Sequence, residues 1–151
     1  MLVAVGAARY ADFRYCAFLI SLGFLVSYAG YMIVPARGPR FLLEQPPLHG
    51  MWLYDSMRVM LDRLERAQYD CFPSGHTELA ILAWWSSRQL SLRLSWAYLA
   101  YTLCMILATV YLRYHYTVDL AAGALVAIVL LLMAPAMYRK LSGNEDPVGG
   151  D

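Results

Sequence analysis

The stretch RYHYTVDLAAGALVAIVLLLMAPAM, residues 113–137, decides the class of this chain. From Thr117 onward it is apolar apart from Asp119, and it has the ~20 residues that a helix needs to cross the hydrocarbon core of a bilayer. Its polar part is concentrated at one end, where His115 and Asp119 stand four residues apart. An ionisable group at the edge of a spanning helix is expensive to keep there, so it is by default a functional-site hypothesis.

Two further runs, residues 15–34 and 94–112, have comparable length and character. A fourth, Ser74 to about Ser87, is shorter and starts within Cys71-Phe72-Pro73-Ser74-Gly75-His76-Thr77. It reads as a spanning helix whose outer turn is polar because it lines a site; a re-entrant or interfacial helix is the alternative. The first run has too long an apolar core for a signal peptide, and no small-residue cleavage site follows it. Composition agrees: 60% of the 151 residues are hydrophobic and 15% charged, and mean hydropathy is +0.47, outside the range of ordinary soluble domains. The expected fold is all-α, a polytopic membrane helix bundle of about four transmembrane helices plus one amphipathic extracytoplasmic helix. Its divisions are an N-terminal stub at 1–14, a membrane-embedded domain at 15–141 and a disordered tail at 142–151.

The net charge of +1 comes without a basic patch, so nucleic acid is not an expected partner. The bilayer is. Cys16 and Cys104 lie in apolar runs and Cys71 stands alone, which implies no disulfide framework. No cluster of carboxylates or cysteines shows metal spacing, so neither metal nor cofactor is expected. Nothing in the sequence fixes an oligomeric state.

Arginine placement sets the orientation. Arg9, Arg14, Arg88, Arg93, Arg139 and Lys140 belong together on the cytoplasmic side of four spans. The long first connection, residues 35–73, carries Arg37, Arg40, Arg58, Arg63 and Arg66, mixed with Glu44, Asp55, Asp62, Glu65 and Asp70. Trp84, Trp85 and Trp96 mark the inner interface, and Tyr111, Tyr114 and Tyr116 the outer one. Within that connection Leu53, Met57, Met60, Leu61 and Leu64 recur at helical spacing. This amphipathic helix either lies on the outer leaflet beside the lipid entry or caps the bundle.

With this topology Arg40, His76, His115 and Asp119 meet on the outer face. On a continuous helix His115 and Asp119 share one side, and the carboxylate accepts the imidazole N–H, leaving the other ring nitrogen free to attack phosphorus. His76 follows Ser74 and Gly75 at a helix start, where backbone N–H groups favour an anion, and it is placed to protonate a leaving oxygen. Arg40 offers a fork of donors to phosphate oxygens. Arg113 reads as an interfacial anchor.

These residues resemble the type-2 phosphatidic acid phosphatase superfamily, over about residues 20–135. Pro73 to His76 is similar to its Pro-Ser-Gly-His box, and His115 to Asp119 to its His-x-x-x-Asp box. The continuation through Gly123 resembles the inositolphosphotransferase-like branch, related to the aureobasidin-sensitive ceramide enzymes. The resemblance implies metal-independent turnover of a lipid phosphate or pyrophosphate through a phosphohistidine on His115. In this reading Asp119 orients His115, His76 is the acid, and Arg40, Ser74 and Gly75 bind phosphate. The expected location is a bacterial plasma membrane, with the site on the extracytoplasmic side that the arginine placement sets.

There are departures from the family pattern. Where the family's first box has a lysine, seven residues before its arginine, this chain has Ile33. The arginine six residues before the nucleophile is replaced by Thr109. Members commonly have six spans, so four imply a minimal version or an N-terminally incomplete chain. Hydrolysis is the first expectation, and transfer of a phospho-head group such as inositol phosphate to another lipid is the alternative, with Glu44, Gln45 and His49 as candidate acceptor contacts. A non-catalytic lipid-binding protein and a proton-relay channel are the readings from other classes. No charge midway along a span argues against the channel.

Overall fold

The computed structural model describes residues 2–42, 59, 60, 63 and 69–143. The helix expected at 53–65, the residues Glu44, Gln45 and His49, and the tail beyond Gly143 lie outside the described residues or almost wholly so. The described chain forms α1 (Leu2–Ile33), a single turn α2 (Pro39–Leu42), α3 (Gly75–Leu90), α4 (Leu92–Tyr111) and α5 (Thr117–Leu141). Among these residues there is no strand, only a parallel bridge between Ala36 and Asp70.

Among the described residues three helices are long and apolar enough to cross a membrane: α1 over Asp12–Ile33, α4 over Leu92–Tyr111 and α5 over Thr117–Leu141. They mark an integral membrane protein. α1 runs through residue 14 without a break, so the apolar stub and the first span are one helix.

α3 has 16 residues, about 24 Å at the α-helical rise, and packs against α1, α4 and α5. Its central position explains its weaker hydropathy. A helix enclosed by its neighbours meets little lipid, so it can carry polar side chains that face the other helices. Ser74, Thr77, Glu78, Ser86 and Ser87 are all buried there. The surrounding helices instead present Leu25, Met32, Leu107 and Leu132 outward, each at least 68% exposed.

The bundle runs up, down, up, down. Close approaches fix the directions: Gly30 of α1 lies against Pro73, just before α3, and Gly23 lies against Leu82 about two turns further on,. Thr102 of α4 donates to the Ala80 carbonyl at 3.2 Å, while Tyr15 and Tyr138 stack edge-on at 5.4 Å at the far end. Small residues permit these contacts, as is usual where helices must be held by packing in lipid. The C-terminal end of α1, the starts of α3 and α5 and the end of α4 therefore share one membrane face. Trp84, Trp85 and Arg88, whose guanidinium lies 4.6 Å from the Trp85 ring centre, occupy the other.

Candidate active site

Four segments build the site. After α1 the chain turns at Ala36, whose carbonyl accepts from the Cys71 N–H at 3.3 Å, and this returns the long connection to the end of α1. Arg37 stacks on and hydrogen-bonds Tyr69 beside that bridge. The next residues lead into α3, where Ser74 is the N-cap and its Oγ accepts from Thr77 N–H. Preferred N-cap chemistry of this kind fixes where the helix starts, and hence where His76 stands.

On the other side, α4 ends in a Schellman turn: Tyr114 N–H reaches Thr109 O at 2.9 Å and Arg113 N–H reaches Val110 O at 3.0 Å. Arg113 takes the left-handed conformation such a turn needs, with φ of 62°,. The chain thus reverses before α5, and His115 lies in this turn rather than on a helix. This corrects the expectation of one continuous helix carrying His115 and Asp119. Arg113 accordingly serves the turn, and its carbonyl accepts from the Arg40 N–H at 3.1 Å.

The two histidines face each other: His76 Nδ1 is 3.3 Å from His115 Nε2. His76 is exposed and His115 only 5% exposed. His115 Nδ1 lies 2.9 Å from the Cys71 carbonyl. A carbonyl only accepts, so Nδ1 carries the proton and Nε2 keeps its lone pair. In the resting site His76 Nδ1 therefore donates to Nε2.

Asp119 does not accept the imidazole N–H as expected; its Oδ2 is 3.8 Å from His115 Nδ1, beyond hydrogen-bond reach. Instead Oδ2 accepts from Tyr116 N–H at 2.7 Å and from the Cys71 thiol at 2.9 Å. Cys71, which the sequence shows as an isolated cysteine, therefore holds both partners, His115 by its carbonyl and Asp119 by its thiol. Burial, and next the bond to Asp119, push that thiol up to about 12. Burial foremost, then the neighbouring His76, lowers the His115 pKa below the ordinary histidine value of 6.5.

Arg40 lines a small cavity together with Gly38, Asp70, Cys71, Tyr114 and His115. Its guanidinium sits between two rings, 4.1 Å from the centre of Tyr114 and 4.5 Å from that of Phe41. Ser74 and Gly75 are buried, and their N–H groups are engaged by the Asp119 carbonyl at 3.0 Å and the Tyr31 hydroxyl at 3.2 Å. Both residues join α3 to its neighbours behind His76. Thr109 places no cation here; its carbonyl supports the turn that carries His115.

Two features escape sequence reasoning. Cys71, His115 and Asp119 bring three metal-type donor atoms within 4.8 Å of one another, a grouping that spacing along the sequence does not display. Glu78 is fully buried in the first turn of α3 and accepts from Ser27 Oγ at 2.6 Å, so the bundle does enclose a carboxyl group. Neither is visible locally, because their partners lie 44 to 51 residues away.

A profile of the PAP2 superfamily matches residues 1–133. The chain belongs to the PAP2 superfamily. It is also 29% identical over 119 residues to a PA-phosphatase related-family protein of Dictyostelium discoideum. That match covers 75% of this chain and 21% of the relative, so the chain spans about a fifth of that protein's length. No solved structure matches.

Proposed function

We propose that this PAP2-superfamily protein hydrolyses a lipid phosphate or lipid pyrophosphate at the extracytoplasmic face, through a phosphohistidine on His115. The observation that carries this reading is the pairing of His115 Nε2, free to attack, with His76 Nδ1 at 3.3 Å, beside the cavity that Arg40 lines. An incoming phosphoryl group parts the two imidazoles; His76, exposed at a helix start, is the one that gives way. Nε2 then forms the N–P bond as the P–O bond to the lipid breaks, and His76 protonates the departing oxygen. In the second half water attacks phosphorus, His76 takes its proton, and the N–P bond breaks to release phosphate. Arg40 neutralises the phosphoryl oxygens throughout, and the Cys71 carbonyl keeps His115 in the Nδ1–H tautomer while Asp119, accepting from the Cys71 thiol, orients His115 through Cys71. The arginine distribution favours the extracytoplasmic side, and a plasma membrane of bacterial type suits that placement.

Transfer to an alcohol, the activity of the inositolphosphotransferase-like branch, is the second reading. It is favoured by the uncharged Ile33 and Thr109, which leave fewer cations to fix a phosphate for attack by water. Against it stands the need for a second polar pocket. The test follows a radiolabelled lipid phosphate in detergent with and without polyols, and with chelator. Free phosphate released without polyol, undiminished by chelator, is the expected result. Label found only in a new phosphodiester would favour transfer.

A further inference from the structure

The buried donors around Cys71 have a geometry suited to a metal ion, a capacity that the proposed hydrolysis does not call on. In a tetrahedral zinc site, metal–ligand lengths of about 2.0–2.3 Å put neighbouring donors roughly 3.3–3.6 Å apart. Here Cys71 Sγ and His115 Nδ1 are 3.6 Å apart, His115 Nδ1 and Asp119 Oδ2 3.8 Å, and Cys71 Sγ and Asp119 Oδ2 2.9 Å. The three separations fall within about 0.4 Å of that range, and an ion bound among them would take the place of the bond from Nδ1 to the Cys71 carbonyl. All three residues are at most 5% exposed. A thiolate and a carboxylate together balance a divalent charge, which matters where water is scarce. Thiolate and imidazole donors select zinc-class ions over magnesium or calcium.

We propose that Cys71, His115 and Asp119 form an inhibitory site for a zinc-class divalent cation. On binding, Cys71 loses its thiol proton to solvent and its sulfur takes the metal. Nδ1 of His115 also becomes a ligand: its proton leaves to solvent, His76 passes its Nδ1 proton to Nε2 across their 3.3 Å contact, and His76 takes one proton back from solvent at its other ring nitrogen. The net change is one bound metal ion and one released proton. Nε2 now carries hydrogen and has no lone pair for phosphorus, so the ion holds the nucleophile in the wrong tautomer. The inhibition rests on the reading of His115 as nucleophile; the binding does not.

The full chain carrying Cys16→Ser and Cys104→Ser keeps Cys71 as its one thiol and is titrated with Co2+ in detergent, without substrate. One equivalent should produce a sulfur-to-cobalt charge-transfer band and a tetrahedral ligand-field band, both displaced by Zn2+ and both lost in Cys71→Ser. X-ray absorption at the zinc edge reads the same site without a further variant and should show one sulfur with nitrogen or oxygen ligands. A zinc shell without sulfur, or a cobalt band that survives Cys71→Ser, would overturn the site. In the activity arm, Zn2+ should suppress phosphate release at least tenfold at saturation, reversed by chelator and not reproduced by equal Mg2+. A sulfur-ligated ion that leaves turnover intact would overturn the inhibitory half and also count against His115 as nucleophile. Absent turnover with a positive cobalt spectrum would sustain the site and sink the hydrolase reading alone.

Discussion

Gly123→Ala probes how the start of α3 is held against α5. A methyl group on Gly123 would stand 2.3 Å from the Ser74 carbonyl oxygen and 3.2 Å from its carbonyl carbon. Carbon and oxygen settle at about 3.3 Å or more, so roughly 1 Å of separation must open between the helices. The atom in the way is backbone and has no rotamer to escape into. Ser74 is the N-cap of α3 and donates its N–H to the Asp119 carbonyl, so the displacement separates His76 from the turn bearing His115. Overpacking of this size costs about 1–3 kcal/mol, which leaves the bundle folded, whereas a misplacement of about 1 Å at reacting groups can cost on the order of 10²-fold in rate. Phosphate release from a lipid phosphate should therefore fall about 10²-fold while size-exclusion profile and helicity are kept. Leu125→Ala, on the lipid-facing side of α5 at 62% exposure, serves as control and should retain activity. A Gly123→Ala protein within twofold of the parent would refute the reasoning.

Three further outcomes follow from the site and its supports. Because the His115 pKa is lowered, the imidazole stays unprotonated further into acid, so the acid limb of kcat/KM should lie below pH 6.5; a limb centred above that value in a pH–rate profile contradicts a buried nucleophile. Cys71→Ser keeps both the carbonyl and a donor for Asp119, whereas Cys71→Ala keeps only the carbonyl, so alanine should lose up to about tenfold more kcat than serine, the worth of one hydrogen bond of about 0.5–1.5 kcal/mol. Equal rates for the two variants would remove the thiol from the account. Glu78→Ala should lower detergent unfolding stability by about 1–3 kcal/mol, since it strands the Ser27 hydroxyl inside the bundle, while Glu78→Gln, of the same shape, should cost less; the reverse order would show that the buried charge, not the filled space and hydrogen bond, matters there.

Much of the fold is legible in the sequence because lipid imposes it. α1, α4 and α5 must each bury a full turn-by-turn ladder in hydrocarbon, and a long apolar run is the direct signature of that demand. α3 is harder: its neighbours shield it from lipid, so its serines, threonine and glutamate read as weak hydropathy, and only the box at its start reveals it. Arg40, His76 and His115 gather where orientation and motif order place them. The local reading failed where a turn replaced a helix. Spacing of four suggested a direct His115–Asp119 bond, but the Schellman turn at the end of α4 rotates His115 so that Cys71 comes between. Cys71 could not be assigned from spacing, since its role exists only once residues 44 and 48 positions away have been folded onto it.

The most direct test of the central claim is to trap the intermediate. A lipid phosphate labelled at phosphorus is mixed with the protein, quenched in alkali within the first turnover, and the protein digested for mass spectrometry under conditions that preserve phosphohistidine. The account predicts label on His115 at Nε2, absent from His115→Ala, and accumulating in His76→Ala when the leaving group is activated enough to need no acid. Label on His76, or turnover with no phosphorylated histidine at any quench time, would contradict it.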